Sequence, residues 1–223
     1  MKLYMHPVSM TTRPIRLYIA DHGISIDETI IDVMTGEHMQ PAWLAMNPNG
    51  LVPMLEDGDF RLTESGAILR YLSAACNVGD MPTDARGIAR VDEIMSWLAF
   101  NFYKDYAYGF VYPQVFDHHY RGDDSFHGKT IAWHAGLVRK WLDVMENHFL
   151  ARGDWLAGDQ KTPADYYGLG LITPGELVKV DFSNWPRIAN WLGRMKSSPH
   201  YEGVNEAFEG FRGYVADRDF ASL

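Results

Sequence analysis

Only one cysteine, Cys76, occurs among the 223 residues. The chain therefore forms no internal disulfide and offers no paired thiolates to zinc or an iron–sulfur cluster. That usage suits a reducing, cytoplasmic setting. Basic residues are also scarce, with 20 Lys and Arg against 29 Asp and Glu and a formal net charge of -9. Nucleic acids and anionic membranes bind clustered cations that displace counterions from phosphates. No such cluster is visible, so neither partner is expected. Long hydrophobic runs are missing as well. The stretch MKLYMHPVSM lacks the apolar run of a signal peptide, and no segment approaches the ~20 apolar residues of a membrane span. Internal repeats and low-complexity tracts are absent. What is present is core-forming material, 47% hydrophobic by count, enough for one large domain or two small ones.

The first part of the chain changes periodicity repeatedly. KLYM reads as a strand. TRPIRLYIADH reads as a helix that starts at Thr12 with Pro14 in its first turn. SIDETIIDV predicts a second strand and residues 38–45 a short helix. VPMLED and FRL predict two strands around the turn DGD, and SGAILRYLSAAC a further helix. The order β-α-β-α-β-β-α implies a parallel pair from the crossover and an antiparallel hairpin at Asp57-Gly58, with helices on the sheet faces. That is a thioredoxin-like domain over residues 1–78.

After the polar connection NVGDMPTDARG the strand signals stop, and residues 86–119, 125–151, 163–177, 186–197 and 200–212 read as helices. An all-α domain over 86–223 follows, with ADRDFASL as a loose tail. TPAD at 162–165 is a capping box. Trp185, Ile188, Trp191 and Leu192 lie at helical spacing and predict a buried face. The stretch 97–116, WLAFNFYKDYAYGFVYPQVF, suits either core packing or an apolar ligand pocket. FDHHYRGDDSFHG is rich in His and Asp, but its spacing fits no metal-ligand pattern, and it reads as an interhelical loop with no metal.

Two short motifs carry chemistry. A cis Val52-Pro53 bond would turn the Val52 backbone outward, exposing an N–H and C=O pair to an extended peptide. Pro53 otherwise only shapes a turn. Glu64 and Ser65 open a helix whose free N–H groups and dipole favour a carboxylate, while Glu64 suits an ammonium. Together they fit an α-amino acid head group; otherwise Ser65 is an ordinary N-cap beside a solvated Glu64.

NPNGLVPMLEDGDFRLTESGAILRYL, the early LYMHPVS and the all-α second half resemble the cytosolic glutathione transferases. The resemblance is to their theta-like, serine-using members of bacterial style, and it spans essentially the whole chain. It implies that the peptide is glutathione, with Val52 and Pro53 at its cysteinyl backbone and Glu64 and Ser65 at its γ-glutamyl head. GEH at 36–38 resembles the segment that reaches the glycyl carboxylate, which implicates His38. Leu51 departs from the family's frequent Lys, Gln, His or Arg before Val-Pro and removes one anchor. Ser9 stands four residues before Arg13, as in the serine-using classes. Ser9 is thus the expected thiolate-stabilising donor, with Thr11 as its alternative and Arg13 as electrostatic support, a loop holder or a surface-paired cation. Tyr4 lies within a strand and reads as core. No cysteine falls at residues 9–12, which disfavours exchange through a mixed protein disulfide.

The resemblance implies a cytoplasmic, homodimeric glutathione transferase that uses glutathione as co-substrate against a small hydrophobic electrophile. Lyase, dehalogenase, isomerase or peroxidase chemistry at the same thiolate stays open, as does a non-catalytic binding protein.

Overall fold

The sheet that seats the site is built from four short strands, in a computed structural model that describes all residues from 1 to 223. In β1 (Lys2–Met5), Leu3 and Met5 are buried and Lys2 and Tyr4 face outward, the alternation a pleated strand imposes. β1 pairs in parallel with β2 (Asp27–Ile30) and antiparallel with β3 (Met54–Asp57). β3 pairs antiparallel with β4 (Phe60–Leu62), giving the order β2-β1-β3-β4. The parallel pair requires a crossover, which α1 (Arg13–Asp21) provides. The predicted helix at 38–45 divides into a 3₁₀ turn, Glu37–Met39, and α2 (Pro41–Leu44). Pro41 causes the division, since its ring suits a first helical position but cannot continue a preceding turn. α3 (Ser65–Ala75) closes the domain with Ile68, Leu69 and Leu72 buried.

The helical half begins at Asp84, whose carboxylate accepts the N–H groups of Arg86 and Gly87 at 3.1 Å and caps α4 (Ala85–Trp97). α4 continues into a π-helical segment, Leu98–Val111, and then α5 (Tyr112–Val115). The π winding, with i→i+5 bonding, sorts the aromatic stretch into two sets. Leu98, Phe102, Tyr106 and Phe110 are fully buried in the core. Tyr103, Tyr108, Tyr112 and Phe116 form a second, contiguous set of ring contacts. Nothing in an α-helical period anticipates this.

The His- and Asp-rich stretch is consumed in closing a loop. Asp123 caps α6 (Asp124–Val144) by accepting from Phe126 N at 2.7 Å, Tyr120 donates to Asp124 at 2.6 Å, and a His127 ring nitrogen meets the Pro113 carbonyl at 3.1 Å. No three His, Cys, Asp or Glu side chains converge as a metal site would require. Glu146 is buried and accepts the N–H groups of Arg187 and Ile188 at 3.0 Å, closing the start of α8 (Pro186–Lys196). Trp185, Ile188, Trp191 and Leu192 are buried there as their spacing predicts. α9 (Tyr201–Val215) completes the helical layer. The final residues are tied down and not loose. Arg218 donates to the Val115 carbonyl at 3.0 Å, Ala221 N–H to the Gln114 side chain at 2.6 Å, and Phe220 packs on the core. Too short and irregular for a periodic signal, this segment is held by partners far away in sequence. No helix is long and apolar enough to cross a membrane.

One contiguous apolar cluster runs from Leu3 and Ile15 through Leu72 to Phe102 and Phe208, so separating the halves would expose core surface to water. At its centre α7 (Pro163–Ile172) is buried along its whole length. The Asp165 carboxylate accepts from Thr162 N (2.9 Å), Leu156 N (2.8 Å) and Trp191 Nε1 (3.0 Å), while its own N–H meets the Thr162 carbonyl at 3.0 Å. Removing the acceptor strands these three buried donors and the Thr162 hydroxyl, which donates to it at 3.3 Å, each worth about 1–3 kcal/mol. Asp165→Ala is expected to cost at least about 3 kcal/mol and to lower the melting temperature by roughly 6–12 °C, measured by calorimetry.

Candidate functional site

The loop after β1 is organised by its backbone. The His6 carbonyl accepts Ser9 N–H at 3.0 Å, and the Ser9 carbonyl accepts Thr12 N–H at 3.1 Å and Arg13 N–H at 3.0 Å. Main-chain oxygen thus holds the first turn of α1, where no side chain caps, and the Ser9 hydroxyl is not used as a cap. Its Oγ lies 3.1 Å from Thr11 Oγ1, which donates to the Val52 carbonyl at 3.3 Å. A hydroxyl carries one proton. With that of Thr11 committed to Val52, Ser9 is the donor in the Ser9–Thr11 contact. The structure therefore brings Ser9, Thr11 and Val52 together from positions more than 40 residues apart.

The Val52-Pro53 peptide is cis. The segment before it is fixed by Asn47, a buried side chain that donates to the Leu51 carbonyl at 2.8 Å and accepts Asn49 N–H at 3.1 Å. Leu51 itself is exposed and anchors nothing through its side chain.

Glu64, not Ser65, is the N-cap of α3, and no side chain satisfies the first turn. Glu64 adopts φ 63°, a conformation that costs a non-glycine residue about 1–3 kcal/mol and clusters at ligand sites. The alternative reading of Ser65 as an ordinary cap does not hold. Ser65 is the first helical residue, and the first-turn N–H groups stay open to an anion.

Two glycines set how closely the helical half approaches. A Cβ on Gly170 of α7 would fall 2.6 Å from the Met10 carbonyl and 2.5 Å from Pro14, so only glycine lets α7 sit on the Ser9 loop. One turn earlier on α7, the ring of Tyr167 lies over Gly66, beside Ser65, within 3.7 Å of where a Cβ would stand. Tyr167 is 9% exposed and its hydroxyl has no partner in the protein. Burial, with the nearby Glu64 charge, pushes it up to about 12.

Arg13 is not surface-paired as one sequence reading allowed. Its side chain is 3% exposed, donates to Thr173 Oγ1 at 2.9 Å and to Asn205 Oδ1, meets Met10 Sδ at 3.0 Å, and stacks 3.8 Å from the Phe208 ring centroid. No carboxylate pairs with it, and burial lowers it to about 10. It clamps α1 to α9 and sits behind the Ser9 loop. Sequence spacing could not reveal this, because the partners lie 160 and 192 residues away.

Beyond the loop stands an aromatic wall. Tyr103 and Tyr112 hydroxyls are 2.6 Å apart. Tyr108 packs edge-on against both, and His119 stacks on Tyr108 at 5.8 Å and Tyr112 at 5.5 Å. His38 lies apart from these groups, on the 3₁₀ turn near Gly50, and its Nδ1 is buried without a partner. Tyr4 is half-buried, with its ring 5.5 Å from Trp43 and its hydroxyl donating to Glu56 at 3.3 Å.

Residues 1–74 match the model of the glutathione S-transferase N-terminal domain. The chain is 30% identical over 210 residues to human glutathione S-transferase theta-2, covering 93% of this chain and 85% of that protein. It belongs to the glutathione S-transferase family. Dichloromethane dehalogenase of Methylophilus leisingeri is 28% identical, over 95% of this chain and 82% of that one. The structure of human glutathione transferase theta-2 in complex with glutathione and an unknown ligand superposes with a TM-score of 0.83 at 27% identity, covering 100% of this chain and 93% of that chain. The sequence alone did not single out Asn47, Tyr167 or, within the aromatic stretch 97–116, the pairing of Tyr103 with Tyr112. The turn-forming NPNG hinted at Asn47; the tyrosines gave no signal, because a regular helical period does not set them on one face.

His6, beneath the Ser9 loop, is buried and accepts Val8 N–H on Nδ1 at 3.4 Å. Burial holds its pKa below the ordinary 6.5, with Asp32 opposing; His22 and His119 are lowered for the same first reason. A lowered folded pKa means that the unfolded chain binds more protons below 6.5, so stability falls as pH drops through that value. Denaturant midpoints are expected to decline from pH 7.5 to 5, with a shallower slope in His6→Asn.

Proposed function

We propose that this chain is a serine-type glutathione transferase that binds the tripeptide along the cis-Pro edge and the N-terminus of α3, activates its thiol, and passes it to a small hydrophobic electrophile. The carrying observation is the chain of contacts Ser9 Oγ to Thr11 Oγ1 at 3.1 Å and Thr11 Oγ1 to the Val52 carbonyl at 3.3 Å. It sets the Ser9 hydroxyl, whose proton rests on Thr11 Oγ1 in the protein alone, beside the backbone that suits a cysteinyl residue. Val52 pairs with the peptide main chain as an added strand does. Glu64 and Ser65, at an uncapped helix N-terminus, receive the γ-glutamyl ammonium and carboxylate. His38, whose buried Nδ1 lacks a partner, receives the glycyl carboxylate.

A free thiol near pKa 8.5 is a poor nucleophile at neutral pH. On glutathione binding Ser9 turns its O–H from Thr11 to the sulfur, and each pKa unit so gained is worth about 1.4 kcal/mol of thiolate stabilisation. Thr11 keeps Ser9 oriented, since its own proton is engaged. Arg13, behind the loop, supplies positive potential without contact. The domains meet within the connection 79–85, and the electrophile binds on the helical side against the aromatic wall. Halide displacement is a second reading, favoured by the 28% identity to dichloromethane dehalogenase, and needs the same thiolate. A homodimer accords with the apolar side chains of Phe60, Phe100 and Trp133, which are exposed in the single chain; light scattering of the purified protein tests it.

Titration of the ultraviolet thiolate absorbance of bound glutathione tests the central step. The wild type is expected to show a thiol pKa lowered by at least about one unit, and Ser9→Ala to lose that shift and about 10²–10³-fold in kcat/KM. Thr11→Val is expected to lose less. An unshifted thiol in wild type would sink the transferase reading in favour of a binding protein. His38→Ala is expected to raise the KM for glutathione about tenfold, the worth of one charge-assisted hydrogen bond.

A further inference from the structure

Lysine and arginine are missing from the stretch that would receive the glycyl end of the tripeptide. Between Arg16 and Arg61 the chain has neither residue. Those two are themselves engaged, Arg16 with Glu28 at 2.9 Å and Arg61 with Glu56 at 3.0 Å. The turn that bears His38 lies against the segment leading to the cis peptide. A Cβ on Gly50 would stand 3.4 Å from the His38 carbonyl and 3.0 Å from Met39 Sδ, so Leu51, the next residue, is beside that turn.

This end offers apolar surface and negative charge instead. Leu51 is 58% exposed and Met39 57%. Glu37 directly precedes His38 on the same turn, and its carboxylate is fixed there by accepting Asp32 N–H at 2.7 Å. Adjoining residues lie well inside the ~10 Å over which exposed charges act on one another at 0.1 M salt. A free carboxylate seated at His38 therefore meets like charge, with no ammonium or guanidinium from the same segment to offset it. The buried, unpartnered Nδ1 of His38 is a donor in one imidazole tautomer and an acceptor in the other. A primary amide supplies both an acceptor oxygen and a donor N–H, so it matches either tautomer, whereas a carboxylate matches only one.

Resting on the transferase reading, we infer that this chain prefers, as its thiol co-substrate, glutathione whose glycyl carboxyl is amidated, and that Leu51 and Glu37 set the preference. The γ-glutamyl and cysteinyl parts keep their places at Glu64, Ser65 and Val52, and only the far end differs. The amide retains an oxygen for His38 and sheds the charge that Glu37 opposes. Leu51 contributes an alkyl surface where a cation would be needed to repay the desolvation of a carboxylate. Discrimination thus comes from a cost placed on the charged form as much as from contacts with the neutral one.

The test measures Kd by titration calorimetry for glutathione and for glutathione amide, at low and high salt, in wild type, Leu51→Lys and Glu37→Gln. Wild type is expected to bind the amide about threefold more tightly at low salt, with the gap narrowing as salt screens Glu37. Leu51→Lys is expected to tighten glutathione about tenfold through one charge-assisted hydrogen bond and so to invert the preference. Glu37→Gln keeps an acceptor for Asp32 N–H and is expected to close most of the gap. If Leu51→Lys does not fold, Glu37→Gln and the salt dependence decide. A wild type that binds glutathione as tightly as its amide, or more so, overturns the inference, as does a preference that every folded variant leaves in place. Binding of neither peptide overturns it together with the transferase reading. An unshifted thiol on a peptide bound with the expected preference sinks the transferase reading alone and leaves the amide preference standing.

Discussion

Everything at the site depends on how closely α7 approaches the start of α1. A helix carrying any side chain at position 170 would meet the Met10 carbonyl and Pro14, and the Ser9 loop would lose its floor. The helix is held there by Asp165, whose buried carboxylate gathers donors from the loop before α7 and from α8. Contact at Gly170 sets the distance, and the hydrogen bonds at Asp165 set the rotation. Between them they determine where Tyr167 stands over the first turn of α3.

Arg13 applies a related constraint from the opposite side. A buried guanidinium without a carboxylate is expensive to desolvate, and here it is compensated by neutral acceptors and the face of Phe208. It keeps its charge in a dry region behind the loop, at a lowered but still basic pKa of about 10. The positive φ of Glu64, the unpartnered Nδ1 of His38 and the unused proton of the tyrosine pair are further costs that local structure alone does not repay. The turn at Glu64 lies beside the open first turn of α3, where a polar ligand would repay it.

Much of this was legible in the residues alone. Strand alternation in KLYM, the Asp57-Gly58 turn, the TPAD box and the helical spacing of Trp185 to Leu192 each encode structure within a few residues, and each appears where its period places it. The Val-Pro and Glu-Ser motifs were readable for the same reason, being short and local. Less legible were features whose partners are distant. Arg13 looks like any arginine at a helix start until Thr173 and Asn205 are folded onto it. The C-terminal segment has no period because Gln114 and Val115 hold it. Ser65 could be read as a cap because a serine before an apolar run usually is one, whereas the helix starts at Ser65 itself and Glu64, at positive φ, precedes it.

The π-helical segment Leu98–Val111 carries a consequence for how the cleft can change. Where core rings and cleft rings share one rod, their relative bearing is set by winding as well as by side-chain identity. Removing one residue to restore α-helical pitch would turn everything downstream by about a quarter turn or more, swinging Tyr108 and Tyr112 away from the cleft even though every tyrosine was retained. The facing of these rings is therefore open to alteration by insertion and deletion within a single helix, a coarser route than residue replacement and one that leaves the thioredoxin-like half untouched.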